Sequence, residues 1–232
     1  MISQIPLGIN LRDEATFESF YPGDNDNIIE IVSNFIVNQE LDKRILVLTG
    51  VKDSGKTHIL QSSCIKAEEL SLTSIYLPLK QIKNISSQYL EGIENLNFIC
   101  IDNVEVIMGV DKCEAALLKF LTNVEYKNGK VLIAVAETDN ELKFNNQKLV
   151  EKLSISYNQP IEPLNDEQKL EAINLRANLR GIGIDERVAK FLIRNCQTNL
   201  SGLFSHLDKL DKESLANQRK LTIPFVKDVL NL

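Results

Sequence analysis

The sequence predicts an α/β domain, with a mostly parallel sheet sandwiched by helices, followed by a small all-helical domain. In the first two-thirds of the 232 residues, short apolar runs rich in β-branched residues alternate with segments of helical periodicity. This alternation is typical of parallel strands joined by crossover helices. From Pro160–Leu164 onward every periodic segment is helical. We therefore expect an extended N-terminal segment over residues 1–12, the α/β domain over 13–162 and the helical domain over 163–232.

The first domain is predicted to contain five strands and three clear helices. Unbroken apolar runs such as Phe98–Ile101 are typical of strands buried on both faces, whereas apolar residues three and four positions apart indicate helices. The predicted strands cover Arg44–Thr49, Ser74–Leu77, Phe98–Ile101, Lys130–Val135 and Ile155–Ile161. The predicted helices cover Asn27–Val37, Lys56–Leu70 and Cys113–Val124.

The second domain is predicted to contain four helices with recognisable ends. Asp166 and Asp185 are candidate N-caps of the first two, since their side-chain oxygens can accept hydrogen bonds from N–H groups in the first turn. Gly181 favours the left-handed conformation that ends the first of them. Leucines over residues 200–210 mark the third helix, and Thr222 opens the fourth, with a proline in its first turn.

The composition is that of an acidic globular protein. Lys and Arg total 26 against 32 Asp and Glu, a net charge of −6, which disfavours nucleic-acid binding by bulk electrostatics. The longest apolar runs are too short to span a bilayer, and the N-terminus lacks the features of a signal peptide. Four cysteines without a Cys-x-x-Cys pair and only two histidines disfavour a disulfide framework or a zinc site. We expect a cytoplasmic protein with no membrane contact and no strong direct DNA binding.

A phosphate-binding loop is indicated by GVKDSGKT at Gly50–Thr57, which fits G-x-x-x-x-G-K-[ST] between a predicted strand and a predicted helix. Its glycines let the backbone curve around phosphate oxygens, which its N–H groups and the helix N-terminus attract. Lys56 is expected to reach the β- and γ-phosphates, and Thr57 to ligand Mg²⁺. The predicted nucleotide contacts are Gly50, Asp53, Ser54, Gly55, Lys56, Thr57 and His58.

An acidic partner for this loop follows the buried run Phe98–Ile101. Asp102 would lie at the carboxyl end of the strand, oriented towards Mg²⁺ together with Thr57. An aspartate here is also typical of a strand-ending turn, but the phosphate-binding loop favours the magnesium role. The predicted cofactors are ADP or ATP and Mg²⁺.

The aromatic segment FESFYPGDN at residues 17–25 precedes the first predicted helix. It has two interpretations. In one it lines a pocket for the adenine ring, with Phe20 supplying apolar surface and Gly23 and Asn25 shaping the turn. In the other it packs on the sheet, which composition alone favours because buried aromatic residues mostly belong to the core.

Together these motifs resemble an AAA+ nucleotide-binding module with its helical lid, and more narrowly the DnaA/Hda clade of AAA+ proteins. The likeness extends over essentially the whole chain. It rests on four stretches: Gln4–Ile9, Phe17–Asn25, Cys100–Glu105 and Gln218–Lys227. It implies a regulator of replication initiation rather than the initiator, because we expect the chain to end with the lid and to lack a DNA-binding domain.

The resemblance implies two protein partners. Short DnaA-related proteins of the clade dock an N-terminal peptide on the DNA polymerase sliding clamp, and here Gln4, Leu7 and Ile9 would be its anchors. Gly8 stands where the family often has proline, which adds to the entropy lost on binding. The second implied partner is DnaA. AAA+ contacts are head-to-tail, an arrangement that is also compatible with a homodimer.

Several positions depart from the pattern of the clade. Asn103 stands where many AAA+ ATPases have a water-activating glutamate; because an amide takes no proton, we expect at most weak hydrolysis by this chain. Lys152 stands at the arginine-finger position. It keeps the positive charge of arginine but lacks the planar guanidinium group. Alternatively, Lys152 is a solvated lysine on a helix surface. Ser201 replaces the expected lid arginine, with Arg194 one helix earlier, and after the fourth strand only Thr138 is suited to contact the γ-phosphate.

Three functional interpretations follow. The chain is a negative regulator of replication initiation that binds ADP or ATP and the clamp and promotes ATP hydrolysis by DnaA, with Lys152 as the catalytic group acting in trans; it is then not itself an enzyme. Alternatively it is a non-catalytic adaptor between clamp and initiator. The third interpretation, a free-standing ATPase of the helicase-loader type, is disfavoured by Asn103 and by the acidic charge.

Overall fold

We describe the protein from a computed structural model that covers residues 15–82, 85–86, 88–136, 143–196 and 199–232. The chain divides into two compact units. The first contains the described residues through Phe17 together with Asn25–Ile161, and the second contains Glu18–Asp24 together with Glu162–Leu232. Within the described residues, no helix combines the length and the apolar character needed to cross a bilayer.

The first unit is built on a parallel sheet, which confirms the predicted α/β class. The strands among the described residues are β1 (Ile45–Gly50), β2 (Ser74–Pro78), β3 (Phe98–Asp102), β4 (Lys130–Ala136) and β5 (Tyr157–Pro160). Their order is β2-β3-β4-β1-β5, and every neighbouring pair is parallel. The carboxyl ends of β1, β3 and β4 therefore meet at one edge of the sheet.

Helices connect these strands. In the described part of the unit they are α1 (Ile28–Val37), α2 (Lys56–Glu69), α3 (Asp111–Tyr126) and α4 (Gln147–Ser154). Short 3-10 turns cover Leu79–Gln81, Ile93–Asn95 and Val104–Ile107. The three predicted helices are confirmed, with ends that differ by one or two residues from the predicted ones.

The central strand β3 is buried along its whole length. Ile99 and Ile101 pack in one apolar cluster with Leu117 of α3. Cys100, which points to the other face, forms a side-chain hydrogen bond with Cys64 of α2, and burial raises the pKa of the Cys100 thiol. Helices thus cover both faces of the strand, and such two-sided burial requires the unbroken apolar run seen in the sequence.

Glu114 of α3 is a fully buried carboxylate that joins three segments. Its Oε1 accepts hydrogen bonds from the N–H groups of Gly109 (2.7 Å) and Asn145 (3.2 Å), and its Oε2 accepts one from Asn146 (2.7 Å). The Asn146 side chain is itself the N-cap of α4. Glu114 thereby fixes the start of α4 against α3 and against the loop that follows β3.

Lys130 is 3 % exposed and stabilises the C-terminal end of α1. Its Nζ donates to the carbonyl oxygens of Ile36 (2.8 Å) and Asn38 (2.7 Å) and lies 5.9 Å from the centroid of the Phe35 ring. Carbonyls at a helix C-terminus carry a partial negative charge, which attracts the ammonium group. Burial, together with the nearby Arg44 guanidinium, lowers the pKa of Lys130 to about 8.

The lowered pKa of Lys130 predicts a specific pH dependence of stability. Below pH 8 the folded protein bears the cost of a buried ammonium. As the pH rises from about 8 towards the ordinary lysine value of 10.5, the folded state loses this proton before the unfolded state does. We expect the free energy of unfolding of the wild type, relative to that of Lys130→Met, to rise by about 2 kcal/mol between pH 7 and pH 10.

Urea unfolding followed by circular dichroism across this pH range measures the difference. The matched control is Lys119→Met, which removes an exposed lysine of α3 and should leave the pH profile unchanged. Parallel pH profiles for the wild type and Lys130→Met would contradict the prediction.

The second unit contains four helices in its described residues. They are α5 (Asp166–Leu179), α6 (Glu186–Asn195), α7 (Leu200–Asn217) and α8 (Ile223–Leu230). Asp185 and Thr222 cap α6 and α8 as predicted, and Gly181 follows α5 with φ +68°. The helices enclose an apolar cluster that includes Ile173 and Phe225.

The N-cap of α5 is Asn165, so the prediction of Asp166 was wrong. The Asn165 side chain accepts the N–H of Gln168 (2.9 Å), and the Gln168 side chain accepts the N–H of Asn165 (3.0 Å). This reciprocal pair is a capping box, which needs an acceptor three residues after the cap. Asn165 has Gln168 at that place, whereas Asp166 has Lys169.

The aromatic segment of residues 18–24 packs with the second unit. Gly23 has φ +58°, and a Cβ at this position would lie 2.4 Å from a side-chain carbon of Leu164. The Gln168 side chain donates to Asp24 at 2.8 Å. The segment thus docks against the start of α5, at a position that only glycine fits without strain.

Candidate nucleotide-binding site

The loop Gly50–Thr57 joins β1 directly to α2. Gly50, Asp53 and Gly55 have φ values of +146°, +66° and +98°, which curve the chain in a way that glycine adopts readily. A Cβ on Gly50 would lie 2.4 Å from the carbonyl oxygen of Ile161. Gly55 is the N-cap of α2 and makes no side-chain cap, so the first turn of the helix presents its N–H groups to an anion.

Lys56 is held by the loop itself. Its Nζ donates to the carbonyl oxygens of Gly50 and Val51 at 2.7 Å each, and to Ser54 Oγ at 3.1 Å. The residue is 7 % exposed. A bound phosphate would have to replace these oxygens, and a doubly or triply charged phosphate chain is a stronger partner for an ammonium than neutral carbonyls are.

Thr57 and Asp102 meet at the shared edge of the sheet, as predicted. Thr57 Oγ1 donates to Asp102 Oδ2 at 2.7 Å, and Asp102 Oδ1 accepts the N–H of Asn103 at 2.8 Å. Asp102 is 2 % exposed. A hydroxyl and a carboxylate are the hard oxygen donors that Mg²⁺ takes together with nucleotide phosphates, so these two residues fit the ion. Among the described residues there is no cluster of three or more His, Cys, Asp or Glu that could hold a metal by itself.

Tyr76 is a site residue that the sequence analysis missed. Its hydroxyl donates to the same Asp102 Oδ2 at 2.7 Å. Burial and the Asp102 carboxylate raise the pKa of Tyr76 far above its ordinary value. Tyr76 lies two residues before the end of β2. If β2 and β3 are assumed to be neighbours, this position predicts that Tyr76 lies near Asp102 at the end of β3.

His58 has a structural contact as well as its place in the first turn of α2. Its Nε2 lies 2.9 Å from the carbonyl oxygen of Thr16, and because a carbonyl only accepts, Nε2–H is the donor. The ring thus ties the N-terminal segment to α2. Any contribution of His58 to nucleotide binding stays a prediction.

The three predicted residues of the aromatic segment fall into different units. Asn25 belongs to the first unit, where its carbonyl oxygen accepts the N–H of Ile28 at 3.0 Å and so opens α1. Phe20, which is 9 % exposed, and Gly23 belong to the second unit. Their role in adenine binding stays a prediction.

Comparison with known proteins identifies the family of the second unit and the fold of the chain. Residues 166–230 match a model of the family described as "Hda, lid domain". Domain III of the DnaA replication initiation protein from Thermotoga maritima is similar in structure over 96 % of this chain and 98 % of that one, with a TM-score of 0.79 and 18 % identity. The second unit therefore matches the Hda lid family, and the chain has the fold of DnaA domain III.

Two other solved structures share the fold. AMPPCP-bound DnaA from Aquifex aeolicus is similar over 88 % of this chain and 66 % of that one, with a TM-score of 0.71 and 17 % identity. The RuvB Holliday junction branch migration motor from Thermotoga maritima is similar over 93 % of this chain and 73 % of that one, with a TM-score of 0.65 and 14 % identity. At these identities the likeness establishes the fold alone.

The residue after Asp102 has a left-handed backbone. Asn103 adopts a left-handed conformation, with φ +59° and ψ +44°, which asparagine tolerates better than most residues. Glu105, the next acidic residue, accepts the N–H of Ala136 at 2.9 Å through Oε2. Glu105 thus joins the turn after β3 to the end of β4, and its engaged carboxylate gives no reason to assign it as a base.

Lys152 lies in the last turn of α4 and forms an ion pair with Glu125 in the last turn of α3. Its side chain is 19 % exposed. The ammonium thus has a partner within its own chain and remains partly exposed to solvent. The role of Lys152 as a finger in trans stays a prediction.

Arg194 lies in the last turn of α6 and Ser201 in the first turn of α7, and both are exposed. Thr138 and the clamp-peptide anchors Gln4, Leu7 and Ile9 lie outside the described residues.

Proposed function

We propose that this chain binds ADP or ATP with Mg²⁺ and regulates replication initiation by promoting ATP hydrolysis in DnaA. The observation that carries the proposal is the combination of an Hda-type lid over residues 166–230 with a phosphate-binding loop whose Thr57 hydroxyl contacts Asp102. The first supports the link to DnaA, and the second supports nucleotide binding.

At its own nucleotide this chain acts as a binder. The N–H groups at the start of α2 hold the phosphates, Lys56 exchanges its loop carbonyls for phosphate oxygens, and Thr57 with Asp102 orients the cation. Mg²⁺, when bound, neutralises phosphate charge. Asn103 cannot take a proton from water, which supports a nucleotide held as a ligand that stabilises the fold rather than one consumed rapidly.

Promotion of hydrolysis in DnaA requires a group that reaches the partner's γ-phosphate. Lys152 is the candidate, and it would exchange Glu125 for the more highly charged phosphate. The segment Gln4–Ile9 would bind the DNA-loaded sliding clamp. Leu7 and Ile9 would enter a pocket of the clamp, while Gln4 fixes the register of the segment. Clamp binding would raise the local concentration of the chain near DNA-bound DnaA.

The test follows radiolabelled ATP bound to DnaA after this chain, ADP and clamp-loaded DNA are added. We expect conversion to ADP that depends on the clamp, is lost with Leu7→Ala, and falls with Lys152→Ala. Lys148→Ala is the matched control, because Lys148 is an exposed lysine on the same helix. Conversion that needs neither the clamp nor this chain would contradict the proposal.

A second candidate function is a non-catalytic adaptor that binds the clamp and DnaA without promoting hydrolysis. The Lys152–Glu125 ion pair favours it, because a lysine with an intramolecular partner loses that partner before it can act in trans. Intact binding to both partners with no conversion of ATP would establish the adaptor and exclude the catalytic proposal.

A further inference from the structure

Tyr76 and Asp102 lie side by side on neighbouring parallel strands. Tyr76 pairs with Cys100 in the register of β2 and β3, so Asp102, two residues further along β3, lies diagonally across from it on the same face. The hydroxyl-to-carboxylate distance is 2.7 Å. Tyr76 is 7 % exposed and Asp102 is 2 % exposed, so water competes little for this hydrogen bond.

The Tyr76 hydroxyl has a second partner, Gln61. Gln61 lies on α2, one turn after Thr57, and is 7 % exposed. Its side chain forms a hydrogen bond with the Tyr76 hydroxyl. Since a hydroxyl has one proton, Tyr76 accepts from Gln61 and gives its proton to Asp102.

Asp102 depends on such donors. Within the described residues its carboxylate takes three hydrogen bonds, from the Thr57 hydroxyl, the Tyr76 hydroxyl and the N–H of Asn103, and no lysine or arginine pairs with it in the ion pairs that the described residues form. A buried carboxylate without donors is strongly disfavoured. A tyrosine hydroxyl carries its proton at neutral pH, so this donor is present there.

Thr57 gives its one proton to Asp102 and keeps oxygen lone pairs that can ligand Mg²⁺. Thr57 is exposed and belongs to the phosphate-binding loop, whereas Tyr76 is buried within a strand ladder. We propose that Tyr76 is a positioning residue for magnesium: with the proposed nucleotide bound, its buried hydroxyl holds the Asp102 carboxylate in the orientation in which Thr57 and Asp102 meet the ion. The inference rests on the proposed nucleotide binding. Hydrogen bonds of this kind to metal-orienting carboxylates typically change metal affinity about 10- to 100-fold.

The experiment compares ADP binding by titration calorimetry with excess Mg²⁺ and with EDTA. We expect Tyr76→Phe, which keeps the ring and removes the hydroxyl, to reduce the Mg²⁺-dependent gain in ADP affinity about tenfold while affinity in EDTA stays within about twofold. Tyr157→Phe is the matched control: Tyr157 donates to Asp42, so it loses the same type of hydrogen bond on β5, away from the loop. Its Mg²⁺-dependent gain should equal that of the wild type.

A second measurement needs no nucleotide. In a double-mutant cycle of Tyr76→Phe and Asp102→Asn, we expect a coupling of about tenfold in the unfolding equilibrium constant.

In the ADP titrations, an unchanged Mg²⁺-dependent gain in Tyr76→Phe overturns the inference. An equal loss of affinity with and without Mg²⁺ also overturns it, because a merely structural role gives that result. A wild-type chain that binds no ADP overturns the proposed nucleotide binding itself, and the inference with it.

Discussion

Lys56→Ala is expected to weaken ADP binding at least about hundredfold, because its buried ammonium stands at the motif position that reaches the β-phosphate. At an ADP concentration of about 100 times the wild-type Kd, the wild type gains about 2.7 kcal/mol of stability from the ligand, whereas a hundredfold weaker variant gains about 0.4 kcal/mol. In a chain of this size the difference corresponds to a shift of the melting temperature of roughly 5–9 °C.

Differential scanning fluorimetry with and without ADP measures this shift for Lys56→Ala. The matched control is Lys52→Ala, which removes an exposed lysine from the same loop and should keep the ADP-dependent shift. The ADP-dependent shift of each variant is measured from its own melting temperature without ADP. Equal ADP-dependent shifts in Lys56→Ala and the wild type would show that the loop does not bind the phosphates through this lysine.

Glu114→Ala is expected to lower the free energy of unfolding by about 4 kcal/mol. The substitution leaves the N–H groups of Gly109, Asn145 and Asn146, which are partly buried, without the carboxylate that now accepts from them, and an unsatisfied group costs up to about 1–3 kcal/mol. It also opens a cavity at a site that is fully buried. The measurement is urea unfolding of the nucleotide-free protein by far-UV circular dichroism.

Two further variants control this prediction. Glu114→Gln keeps one acceptor oxygen and the volume, so it should lose less stability than Glu114→Ala. Glu151→Ala removes an exposed carboxylate from α4 and should change the free energy of unfolding by less than about 0.5 kcal/mol. A loss below about 1 kcal/mol for Glu114→Ala would mean that water satisfies the three N–H groups as well as the carboxylate does.

The sequence predicted those parts of the fold that depend on local signals. β3 is buried on both faces, so its unbroken apolar run predicted the strand. The loop motif located Lys56 and Thr57 because the motif and its flanking strand and helix are contiguous in the sequence. The N-cap of α5 could also have been predicted. Asn165 and Asp166 are both good capping residues, but only Asn165 has a glutamine, Gln168, three residues later, and this pair decides where the helix starts.

The sequence could not predict contacts between residues that are distant along the chain. The Tyr76 hydroxyl reaches Asp102 only because β2 and β3 are neighbours, and the ion pair of Lys152 with Glu125 depends on how α3 and α4 pack. Glu114 looked like one more acidic residue of an amphipathic helix, although its carboxylate is fully buried. Periodicity gives no information about such partners, because it describes one element at a time.

The left-handed backbone of Asn103 bears on how readily this chain could acquire a water-activating carboxylate by mutation. Asn103→Glu needs substitutions at two codon positions, and it would also place a longer side chain in a conformation that costs most L-residues about 1–2 kcal/mol. Aspartate tolerates this conformation as asparagine does, and it is reached from asparagine by a single base change. The accessible route to a carboxylate at this position is therefore through a shorter acid, whose oxygens would lie one methylene further from the water than those of glutamate.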